Sequence, residues 1–132
     1  KLNSNIFIYA GLVNHEKLLE LYANSDILVS IGSKRADMLP SKIFEYMSTG
    51  KKILHIAKEY DDICLEHYTK YPQALVLFEK DSVETNAIKL LKFINTTPIS
   101  VNRTDLKVLF KENTPAYTVD IMESGAKTSL VK

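Results

Sequence analysis

The sequence predicts an α/β fold: a Rossmann-like parallel sheet of about four strands flanked by helices, with a C-terminal helical appendage. Three observations carry this. Short apolar runs rich in β-formers alternate with stretches of helical periodicity. Glycines and capping residues punctuate the joins, and the strand–helix spacings are short enough for right-handed crossovers. After Pro98 the alternation stops, so residues 1–97 read as the sheet domain and 98–132 as helices packing on it.

Residues 6–10 (IFIYA) read as a first buried strand, closed by Gly11. Asn14 caps a helix from His15 to about Asn24, with Leu18, Leu19 and Tyr22 facing inward. Residues 26–31 form a second buried strand ended by Gly32. The loop 33–39 leads into a helix opened by Pro40 and an N-cap Ser41, with Ile43 and Met47 on its inner face. Gly50 closes it in the left-handed conformation. A third strand spans 52–56. A helix over 60–71 buries Ile63, Cys64 and Tyr68 and stops before Pro72. A fourth strand spans 74–78, and Asp81 and Ser82 cap a helix from Val83 to about Asn95. Residues 103–110 form a short helix. Thr114 and Pro115 start another, which Gly125 ends.

Composition narrows the class. The apolar share of 45% and charged share of 25% over 132 residues are those of an ordinary globular domain. The net charge of +1 gives no electrostatic footprint for nucleic acid. The single cysteine, Cys64, excludes an internal disulfide and a Cys-based metal site, and fits a reducing, cytoplasmic setting. No apolar run reaches the roughly 20 residues of a membrane span. The chain opens almost directly into a strand, without a starting Met or a signal-peptide core, and is expected to be a fragment of something longer.

The candidate chemistry gathers in residues 37–50. Ligands of open parallel sheets bind beyond the carboxyl ends of the strands, where this stretch begins. Glu45 can accept two hydrogen bonds from neighbouring hydroxyls, which suits the cis-diol of a ribose. It shares a helical face with Ser41. Ser41 and Lys42 offer a hydroxyl, backbone N–H groups and an ammonium to a diphosphate. Asp37 could hold sugar hydroxyls or balance charge at a reacting carbon, and Lys34 and Arg35 add positive charge to the loop. Standing against these are an exposed helix Glu, a plain N-cap and a loop Asp in a turn. His15, His55 and His67 show no metal-ligand spacing, so no zinc site is expected and each reads as a structural or exposed histidine. Cys64 reads as a small core residue.

With those residues in place, the chain resembles the C-terminal donor-binding domain of GT-B glycosyltransferases, in the retaining group often called family 4. Residues 6–13 look like that group's strand-Gly-x-Val element, and EKLLELYANSD (16–26) like its E-x-L-x-x-x-Y-x-x-A-D helix. LPSKIFEYMSTGKKIL (39–54) looks like its P-S-K-x-x-E-Y-M-A-x-G-x-P-I signature. The likeness runs over residues 5–95. It implies a UDP- or GDP-type nucleotide sugar as substrate, with no cofactor and no metal. Glu45 would bind the ribose, and Asp37, in the first place of an E-x7-E pattern, would be the catalytic residue facing the transferred sugar. Met38, Leu39, Ser41 and Lys42 would line the sugar and diphosphate, and Gly11 would join the site from the first turn. Two departures stand out: Asp37 replaces a Glu, and Lys52 replaces a Pro, the latter expected to matter little.

The resemblance further implies transfer of a hexose-type sugar to a glycan or lipid-linked acceptor in bacterial polysaccharide biosynthesis. The parent enzyme would be cytoplasmic, with peripheral association at the inner face of the membrane. Two upstream strand–helix units and the N-terminal acceptor domain of such enzymes have no counterpart in this sequence, so the isolated chain is expected to be inactive. The rival readings are a nucleotide-sugar epimerase of the same architecture, using His15 or His55, and a non-enzymatic α/β partner-binding module.

Overall fold

The computed structural model describes residues 8–33 and 39–129, with side chains as far as residue 122. Strands β1 (Ile27–Ile31), β2 (Lys52–Ala57) and β3 (Ala74–Phe78) form a parallel sheet in the order β1-β2-β3. Its helices are α1 (His15–Asn24), α2 (Lys42–Ser48), α3 (Leu65–Lys70), α4 (Val83–Asn95), α5 (Arg103–Leu109) and α6 (Pro115–Ser129). A 3₁₀ turn, Lys111–Asn113, joins the last two. The Rossmann-like α/β class read from the sequence is the fold observed.

The central strand β2 is sandwiched between neighbours and layers, which is why KILHIA reads as an almost unbroken apolar run. Register pairs Ser30 with His55 and His55 with Val76, placing the three on one face. That face is covered by α2 and α3. Ile43, Met47, Cys64 and Tyr68 pack on Ile53, and Leu106 and Phe110 join the same core. The C-terminal helix α5 is therefore part of the domain's core. The opposite face carries Leu54 and Leu77 and is covered by α4.

The cap residues bind as the sequence predicts at three helices, Thr114 accepting from the Tyr117 N–H at 3.3 Å at the start of α6. Asn14 accepts from the Lys17 N–H at 2.9 Å and Ser82 from the Thr85 N–H at 3.1 Å. Gly50 closes α2 at φ +70°, where any side chain would be strained.

Six expectations need correction. The sheet has three described strands: residues 6 and 7 lie outside the described residues, and 8–10 join no strand. Ile8 and Tyr9 stand exposed, without the half-buried pleated surface that β-propensity records. Among the described residues β1 is therefore an edge, and Val29 and Ile31 are 48% and 67% exposed rather than buried. On α1 only Tyr22 is buried, while Leu19 is exposed. The helix expected over 60–71 spans only Leu65–Lys70; in the turn before it the Asp62 carboxylate accepts the Cys64 N–H at 2.8 Å, and Ile63 is left exposed there. Gly125 lies inside α6; one helical glycine costs only about 1 kcal/mol and does not by itself end a helix.

The sixth concerns Lys52. Its buried ammonium donates to the Phe93 and Ile94 carbonyls at 2.8 and 3.2 Å and to the Thr96 carbonyl, satisfying the C-terminal end of α4. Proline there would leave those carbonyls without this donor, so Lys52 matters to how α4 ends.

Candidate functional site

The carboxyl end of β1 runs through Gly32 into the loop that ends at α2, and the stretch read from the sequence sits there. Asp37 and Met38, with Lys34 and Arg35, lie outside the described residues. Ser41 and Lys42 are exposed at the start of α2, and Glu45 is half-buried one turn further on. One expectation changes in detail. The Ile43 N–H donates to the Pro40 carbonyl at 3.1 Å, so the helical turn begins at Pro40. Ser41 has helical dihedrals and makes no capping bond, which leaves its hydroxyl out of the helix's own hydrogen bonding. Leu39 turns its side chain to the core, so only its backbone is offered to a ligand. Gly11 sits in an exposed turn at φ +68°, with nothing within 4 Å of where a Cβ would stand. Its glycine answers to backbone conformation and not to a close approach.

Sequence reasoning missed what packs beside Glu45. Tyr22 of α1 lies against α2, its ring edge-on to Tyr46 at 5.5 Å and 82°. It is 7% exposed, and its hydroxyl is buried without a hydrogen bond. Burial, then the neighbouring Tyr46 and Glu45, push this phenol up to about 12, so it stays protonated as a donor. The signal was present as Leu18 and Tyr22 one turn apart, but it was read as packing alone.

Beneath the mouth lies a second polar group. His55, fully buried at 0% exposure, bridges Ser30 Oγ at 3.1 Å through Nδ1 and Asp62 Oδ2 at 3.2 Å through Nε2. Its ring stacks on Tyr68 with centroids 4.6 Å apart. Burial holds the imidazole below its ordinary pKa, against the opposing pull of Asp62, so the ring is neutral. A carboxylate can only accept, which assigns the proton to Nε2 and leaves Nδ1 to accept from the Ser30 hydroxyl. Asp62 also lies against Gly32: a Cβ at residue 32 would fall inside the Asp62 carboxylate and within 3.2 Å of the Ile56 carbonyl. One imidazole thus ties together the end of β1, the middle of β2 and the turn into α3.

Ser, His and Asp stand here in the bonding order of an acyl-transfer triad. The ring is sealed under Tyr68, though, and a nucleophile needs room for a substrate beside the base. The same sealing removes His55 as an acid or base for a bound ligand, since both ring nitrogens are already spent. His55, Asp62 and Cys64 also bring three donor atoms within 4.8 Å of one another, which no sequence spacing suggested. A metal there would have to displace the Nε2 proton from Asp62 and deprotonate a thiol that burial, helped by Asp62, pushes up to about 12. The group is complete as a hydrogen-bonded latch. Its sequence signal is faint but legible: at a two-residue period, polar Ser30 and His55 fall on the same face as core residues Leu28 and Ile53.

In comparisons with known proteins, no family model, curated protein or solved structure matches this chain.

Proposed function

We propose that this chain is the nucleotide-sugar-binding part of a glycosyltransferase. The observation that carries the reading is the PSKIFEYMSTG stretch at the carboxyl end of β1, with Glu45 half-buried one turn inside the helix and Ser41 and Lys42 exposed at its mouth. In this reading Glu45 accepts hydrogen bonds from the two ribose hydroxyls of a UDP- or GDP-type donor. Ser41 and Lys42 meet the diphosphate, and Asp37 faces the sugar. The latch of Ser30, His55 and Asp62 fixes the strand end from which the binding loop departs. The exposed apolar positions Val29 and Ile31 on the β1 edge suit a sheet that further strand–helix units of a parent enzyme would cover. The acceptor would come from another domain of that parent, so this chain binds donor without turning it over.

Titration calorimetry of UDP and GDP against the wild type and Glu45→Ala tests the reading. One of the two nucleotides should bind, and Glu45→Ala should weaken it at least about tenfold, the loss of charge-assisted hydrogen bonds to a carboxylate. Absence of binding at millimolar nucleotide, or equal binding by both proteins, contradicts it and favours a scaffold or partner-binding module.

A further inference from the structure

We propose that Tyr22 is a positioning residue for Glu45: its phenol, delivered from α1, holds the carboxylate in the orientation that accepts the ribose hydroxyls. This rests on the nucleotide-binding reading of Glu45 given above. Three features point to it. The ring is buried and fixed edge-on against Tyr46, the residue adjacent to Glu45, so it is held beside the α2 helix. Its hydroxyl is an enclosed donor without a bond, and such a group is normally matched. Glu45, half-buried and close enough to raise the phenol's proton affinity, is a side chain that can turn to accept from it.

A carboxylate on a flexible three-torsion side chain loses rotamer freedom when it grips a diol, and a donor behind it lowers that loss in advance. One oxygen would take the phenol proton while the remaining lone pairs face the ribose. Tyr22 thereby touches no substrate and acts only through Glu45.

The test compares wild type with Tyr22→Phe, which removes only the hydroxyl and keeps the buried ring. Without nucleotide and at fixed neutral pH, the ¹³C-carboxyl resonance of Glu45 should differ between wild type and Tyr22→Phe, because a hydrogen-bond donor polarises the carboxylate. An identical Glu45 carboxyl resonance in the two proteins overturns the proposal whatever the chain binds. In calorimetry, Tyr22→Phe should weaken UDP or GDP about 5- to 10-fold and leave the matching 2′,3′-dideoxynucleotide unaffected. Unchanged binding of the full nucleotide also overturns the role of Tyr22 while sparing the nucleotide reading. A changed Glu45 carboxyl resonance in a chain that binds no nucleotide supports the Tyr22–Glu45 pair and overturns the nucleotide reading.

Discussion

Replacing His55 with alanine is expected to destabilise the chain by about 3–5 kcal/mol, the largest effect of any single change considered. The substitution opens a cavity against Tyr68, removes both hydrogen bonds and leaves the Asp62 carboxylate buried beside the Cys64 N–H without its imidazole partner. Against a typical total of about 5–15 kcal/mol, that is enough to leave a substantial unfolded fraction near body temperature. Urea denaturation followed by circular dichroism measures it. A double-mutant cycle with Asp62→Ala should show coupling of about 1–3 kcal/mol, since either change alone strands the other group. The latch also imposes a pH limit. His55 is held neutral in the fold, with its pKa below the ordinary 6.5. Its contribution is therefore fully present above pH 6.5 and is lost as pH falls from there through the folded-state value. The groups facing the ring are Ser30, Asp62, Cys64 and Tyr68, so protonation would also force the Ser30 hydroxyl to give up Nδ1. The acid limb of the stability curve below pH 6.5 should flatten in His55→Leu relative to wild type.

Gly32→Ala is the second large effect, expected to cost about 2–3 kcal/mol. The glycine is required by contact and not by backbone conformation, because its methyl would collide with the Asp62 carboxylate, the Ile56 carbonyl at 3.2 Å and the Ala57 Cα at 3.3 Å. Two of these are backbone atoms of the central strand and cannot step aside. Relief by moving Asp62 breaks its bond to His55, so Gly32→Ala should also erode the acid limb that the latch produces. Thermal melts of Gly32→Ala at pH 7 and pH 5 distinguish this from simple overpacking, which would shift both by the same amount.

Much of the architecture was legible because it rests on periodicity and local capping. The strand 74–78, the helix from Val83 and the helix from His15 were read with their observed bounds, since apolar runs and Asn14 or Ser82 caps are local signals. What local signals could not show is whether a strand has a neighbour. Residues 8–10 have β-forming side chains but no paired edge, and β1 is exposed for the same reason. Ser41 looked like a cap because serine usually is one, whereas the turn begins at Pro40. The latch joins residues 25 and 7 positions apart in sequence and exists only through sheet register, so its members looked like unrelated polar residues. Lys52 was misjudged likewise, because its partners lie 41 to 44 residues away at the far end of α4. In the proposed site, helical spacing puts Ser41 and Glu45 on one face, while the place of Tyr22 follows from α1 packing against Tyr46 of α2.

In the proposed reading a nucleoside diphosphate occupies the junction between the end of β1 and the start of α2. Amide chemical-shift mapping of the ¹⁵N-labelled chain with added UDP or GDP tests it most directly. The account predicts saturable shifts at Gly32, at residues 39–46 and at Tyr22, with α4 and α5 unmoved. Shifts confined to α4 or α5, or none at millimolar nucleotide, would contradict it.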